Sequence, residues 1–101
     1  MSDNAFVLYV ILLTKNPGRP FTDEIVRAHV AHIKALDERE QLVLCGPFLD
    51  WDGGMIVIRA ASLDEARSLA EADPFITGGF ETCEVRTLHR GCRENGYLLD
   101  S

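Results

Sequence analysis

From Phe6 to Thr14 the chain is almost unbroken in apolarity and rich in β-branched and aromatic side chains, until Asn16, Pro17 and Gly18 interrupt it. Such a run predicts a well-buried first strand closed by a turn. From Thr22 the period changes. Thr22 is placed to cap a helix whose first turn carries Asp23 and Glu24, and Ile25, Val26, Val30, Ile33 and Leu36 supply an apolar stripe out to about Glu38 or Arg39. Gln41 to Cys45, stopped by Gly46-Pro47, and Met55 to Ala60, entered through Gly53-Gly54, predict a second and a third strand joined as a hairpin or near-hairpin. Ser62 and Glu65 have the spacing of a capping box, so a second helix is predicted from Leu63 to Ala72. Phe80 to His89 alternates, with Cys83 and Val85 on one face and Glu84 and Arg86 on the other, which predicts a half-exposed fourth strand.

The order β-α-β-β-α-β is the split βαβ, ferredoxin-like arrangement: an α+β fold with an antiparallel sheet and two helices on one face. Its second sheet face is left bare. A nearly all-apolar first strand does not tolerate water along one side, so that face is expected to pack on a copy of itself, giving a homodimer. One domain is expected over residues 1–101, with its core at about 6–89. An arm at about 90–101 lies outside the unit, where Tyr97, Leu98 and Leu99 could cross to the partner.

Charge and composition narrow the function. Ten basic residues against sixteen acidic ones leave a net charge of −6, and the basic residues form no run, which argues against nucleic acid as a partner. The Phe6 to Leu13 run is too short to span a bilayer, and Ser2, Asp3 and Asn4 before it do not resemble a secretion signal, so a cytoplasmic protein with no membrane partner is expected. Cys45, Cys83 and Cys92 show no CxxC spacing; Cys45 and Cys83 read as small core residues, and Cys92 as the exposed one.

The chemistry concentrates on a histidine. At about 100° per residue, Leu36 and Thr22 lie within about 20° of His29, and Ile25 and Ile33 within about 40°. His29 therefore sits in the middle of the apolar stripe, where an imidazole must either satisfy a backbone carbonyl or serve a cleft. His32 lies at the margin of the stripe. His29 and His32 lack a third ligand at a convincing spacing, so no metal is expected. Asp73 before Pro74 has the form of a cap on a short turn at Phe75 to Gly78. A carboxylate held by backbone amides is also fixed and able to orient an imidazole. Asp50, Trp51 and Asp52 with Gly53-Gly54 form a loop able to line a pocket, although such stretches are more often solvated turns. No G-x-G-x-x-G, P-loop, G-x-S-x-G or H-E-x-x-H occurs, and no cofactor is expected.

Four segments together resemble the YciI-like (YCII-related) family: Arg27 to Ile33 its histidine-bearing helix, Leu44 to Phe48 the Gly-Pro end of its second strand, Ser62 to Ala66 its second helix start, and Ala72 to Phe75 with Gly78-Gly79 its Asp-Pro-aromatic signature. The last strand ends at Val85 to His89 without the Pro-aromatic pair often found there. The resemblance implies a dimeric α+β barrel with a site near a His-Asp pair, which falls on His29 and Asp73. It also implies a pocket for a small organic acid or phenolic compound, expected to draw on Gly46, Pro47, Phe48, Trp51 and Phe75. The implied chemistry is cofactor-independent elimination or isomerisation of the dehydrochlorinase or muconolactone-isomerase type. The alternative is a non-catalytic dimeric module that binds a small ligand or serves as an accessory to a partner protein.

Overall fold

A computed structural model of the chain describes residues 3–99. After a 3-10 turn at Asp3–Phe6, the elements are β1 (Val7–Lys15), α1 (Asp23–Glu38), β2 (Leu42–Pro47), β3 (Gly53–Ile58), α2 (Leu63–Glu71), the single turn α3 (Pro74–Thr77) and β4 (Glu81–His89). The sheet order is β2-β3-β1-β4 and every pairing is antiparallel, the ferredoxin-like topology expected of this element order. A second 3-10 segment, Arg93–Leu98, occupies the predicted arm; residues 100 and 101 of that arm lie outside the described residues. Among the described residues no helix is long and apolar enough to cross a membrane.

The helices are fixed at their starts as the side chains dictate. Thr22 accepts from the Ile25 amide (3.2 Å) and Ser62 from the Glu65 amide (3.1 Å). Glu65 departs from the reciprocal capping box: its carboxylate accepts from the amide of Ala61, one residue before the cap. On the helix side of the sheet, Tyr9, Ile11 and Leu13 of β1 meet Ile56 and Ile58 of β3, and Leu36, Ala66 and Ala70 seal them from α1 and α2. Leu36 and Ile58 have no exposed surface. Val26 and Val30 belong to the predicted stripe but are exposed, because the sheet covers only the arc of α1 centred on His29, Ile33 and Leu36.

On the other side of the sheet, Val10, Leu12 and Met55 are half-buried, and Leu44 and Leu88 are exposed. This apolar surface borders the Glu84–Arg86 ion pair of β4. Cys83 packs against the core as expected. Cys45 does not: it is exposed, because β2 is an edge strand paired only with β3, while Cys92 is half-buried. Burial pushes the Cys83 thiol above its ordinary pKa, and the carboxylates of Glu71 and Asp73 push it the same way. Thiolate is the reacting form, so iodoacetamide at neutral pH is expected to label Cys45 quickly and leave Cys83 largely unmodified, as read by mass spectrometry of peptides.

Candidate active site

Two loops meet beside the end of β1. The segment after β1 is clasped to the turn after α3: the Asn16 amide donates to Phe80 O (2.9 Å), its side-chain amide to Gly79 O (3.0 Å), and Arg19 Nε to Gly78 O (2.7 Å). Gly79, at φ +78°, takes the left-handed conformation that lets the chain turn from α3 into β4 at this clasp. The clasp holds Phe21, just ahead of α1, against the aromatic start of α3.

Asp73 begins α3. Its Oδ1 accepts from the Phe75 amide (2.9 Å), while Pro74 stands at the first helical position, where no amide is needed. Both carboxylate oxygens also lie 2.9 Å from His29 Nδ1. Asp73 is 1% exposed and His29 17%. With Nδ1–H donating to the carboxylate, Nε2 is the ring atom left to meet a ligand. The imidazole lies flat on Phe75 (3.9 Å between centroids, 11°), Phe75 flat on Phe21 (4.4 Å, 12°), and the Lys15 ammonium stands 4.7 Å from the centre of Phe21. Imidazole, two phenyl rings and an ammonium thus form one continuous stack. Arg19 covers Phe80 in the same way, at 4.4 Å.

A second carboxyl group belongs to this cluster. Glu81 is 5% exposed, and its Oε1 has no hydrogen-bond partner. Burial pushes its pKa up and the charge of Asp73 adds to that, while His29 and Lys15 pull it down. A carboxyl group with a raised folded-state pKa contributes stability at low pH that disappears as pH rises through that folded pKa. Chemical denaturation of wild type and Glu81→Gln across pH is therefore expected to show wild type losing ground to the variant as pH climbs from about 4.5, and the gap levelling off above the folded Glu81 pKa.

Of the residues expected at the site, the fold brings His29, Asp73 and Phe75 together. Two surface depressions lie nearby. One, of about 410 Å³, is lined by Lys15, Arg19, Phe21, Trp51 and Asp52 among others. The other, of about 630 Å³, is lined by Lys15, Pro47, Phe48, Trp51 and Asp52 among others. Trp51 stands between them, tilted against Phe48 at 5.4 Å. A Cβ at Gly53 would fall 2.1 Å from Leu13 O and 2.8 Å from the indole, so only glycine lets the ring lie there. Gly46 lines neither depression and sits opposite Met55 in the sheet. Neither depression is lined by His29 or Asp73; Lys15 and Phe21 connect the first of them to the pair through the ring stack.

Lys15, Phe21 and Glu81 are absent from the sequence-based site. One signal for Glu81 exists in the alternation of β4, where it shares the inward face with Cys83 and Val85. A carboxylate on an apolar face asks for an explanation.

The YCII-related domain model matches residues 7–89. The chain is 35% identical over 79 residues to the uncharacterized protein YjpA of Bacillus subtilis (strain 168), a match covering 78% of this chain and 93% of that protein. Among solved structures it resembles the 5-chloro-2-hydroxyhydroquinone dehydrochlorinase TftG from Burkholderia phenoliruptrix AC1100, in complex with 2,5-dihydroxybenzoquinone. The TM-score is 0.62 at 25% identity, over 78% of this chain and 90% of that one. On the extent of the domain match and the relationship to YjpA, this chain belongs to the YCII-related, or YciI-like, family.

Proposed function

We propose that the protein is a cofactor-independent lyase or isomerase that moves a proton on a small phenolic compound or organic acid, with His29 as general base and acid and Asp73 as the group that holds its ring. The observation that carries this reading is the contact of His29 Nδ1 with both Asp73 oxygens at 2.9 Å, on a carboxylate itself fixed by the Phe75 amide. A ring held this way has its tautomer chosen and its cation stabilised, so Nε2 takes a hydroxyl or C–H proton and returns it later. In an elimination, the bonding pair released at that atom expels a leaving group such as chloride. The structural likeness to a dehydrochlorinase supports this class of reaction.

The working unit in this proposal is a homodimer joined through the open face of the sheet, around Leu44, Val10 and Leu88. Leu44 and Leu88 are left half-exposed there, at 50% and 45%.

A second reading, a binding module without catalysis, is favoured by one observation: both depressions are lined without His29 or Asp73. The test is a screen of chlorinated hydroquinones, hydroxybenzoates and small unsaturated acids for chloride release or change in ultraviolet absorbance. Turnover by wild type that vanishes in a folded His29→Ala variant is the expected result. Turnover that survives in His29→Ala would sink the acid–base reading.

A further inference from the structure

We propose that Glu81, with Lys15, forms an oxyanion-binding site that takes the ionised oxygen of a planar phenol or enol. This rests on the reading of His29 and Asp73 as the acid–base pair for where the ligand lies.

The placement is specific. Lys15 and Glu81 face each other across β1 and β4, on the helix side of the sheet. The same Lys15 stands on the ring stack that ends at His29, and it lines both depressions. The charges acting on the Glu81 carboxyl come from three other elements: His29 on α1, Asp73 at the start of α3, and Lys15 on β1. Glu71, at the end of α2, acts on neighbouring Cys83 instead.

The chemistry follows from one orphaned atom. Glu81 is nearly fully buried and its Oε1 is unsatisfied by the protein, a state that native structures avoid unless something else supplies the partner. An ionised carboxylate there would leave a charged oxygen without a donor beside the second anion, Asp73. The neutral acid avoids that orphaned charge and has an O–H to give, and burial moves the Glu81 pKa upward, in the same direction. A buried carboxylic acid in its neutral form is a hydrogen-bond donor, and its natural partner is an oxygen that gains negative charge. The electron and proton accounting is simple: the ligand hydroxyl proton passes to His29 Nε2, the resulting O⁻ accepts the Glu81 hydrogen bond, and Glu81 keeps its proton. The Lys15 ammonium offsets the new charge from the depression side. The two carboxyl groups then divide the work, Asp73 stabilising the imidazolium and Glu81 the oxyanion.

The probe is 4-nitrophenol, whose phenolate absorbs visible light and which has no group to eliminate. Added protein is expected to raise the phenolate absorbance at a fixed pH near neutrality, because the site binds the anion in preference to the phenol. Glu81→Ala is expected to weaken that binding about tenfold or more, the usual range for a hydrogen bond to a charged group. Glu81→Gln, which keeps an N–H donor, is expected to recover much of it, and Lys15→Met to lose part. Should Glu81→Ala not fold, the wild-type protein answers alone: the Glu81 side-chain carboxyl 13C resonance must shift when 4-nitrophenol is added. No phenolate binding by wild type, equal binding by Glu81→Ala, or an unmoved Glu81 resonance would overturn the proposal. Because the probe is never turned over, these outcomes are separate from the His29→Ala test. Turnover that persists in His29→Ala removes the acid–base reading and leaves a Glu81-dependent anion site in place.

Discussion

Asp73→Ala is expected to lower the stability of the folded chain by about 2–4 kcal/mol, which for a domain of this size moves the thermal midpoint down by about 10 °C or more. The carboxylate has two tasks inside the protein. It caps α3 through the Phe75 amide, and it takes the Nδ1–H of His29 from a position only 1% exposed. Alanine removes both acceptors at once and leaves two donors, one of them buried, with nothing to replace water. Asp73→Asn is a milder loss, because the amide oxygen still accepts from the Phe75 amide, and about 1 kcal/mol is expected. The activity ordering differs: without the charge, asparagine no longer stabilises the imidazolium, so both variants should be far below wild type. Circular dichroism melts beside turnover assays separate the two effects. An Asp73→Ala protein that melts with wild type would show that the contact carries no folding energy.

If the chain pairs through the open sheet face as proposed, Leu44→Asp is expected to leave it a folded monomer. Leu44 is on the open face of the edge strand β2, opposite Val57, and its half-exposed side chain leaves the monomer little to lose when it is replaced. In a twofold assembly each substitution appears twice, so two carboxylates would have to be buried in one apolar interface. Sedimentation velocity should show half the wild-type mass with unchanged far-ultraviolet circular dichroism. A wild-type chain that sediments as a monomer, or a Leu44→Asp chain that remains a dimer, would remove the homodimer from the proposal.

The elements and their order are legible in the chain because each is announced locally. The apolar run of β1 and the alternation of β4 carry their own signals, and Thr22, Ser62 and Asp73 are caps whose hydrogen bonds lie within three residues. His29 is legible for the same reason, as a ring in the wrong place on a periodic face. Boundaries shift by one or two residues: β2 runs on through Gly46-Pro47, since an edge strand tolerates a proline whose missing amide would face solvent. The partners around the histidine are less legible. Lys15 and Glu81 meet only through the β1–β4 register, and Phe21 reaches Phe75 only because the β1–α1 loop is tied to the turn after α3. Such contacts depend on where distant elements land, and no local pattern encodes them. The exposure of Cys45 and of Val26 has the same origin, because an apolar residue is covered only where a neighbouring element extends far enough.

Trp51 is the only tryptophan in the chain, and it stands in the wall shared by both depressions, half-exposed and in contact with Phe48. The protein thus carries a built-in optical reporter on the wall of both depressions. A ligand entering either depression changes the solvation of that one indole, so its emission wavelength and quenching by iodide register occupancy without a label. Fragment libraries can be screened by fluorescence before any reaction is known, with Trp51→Phe as the silent control.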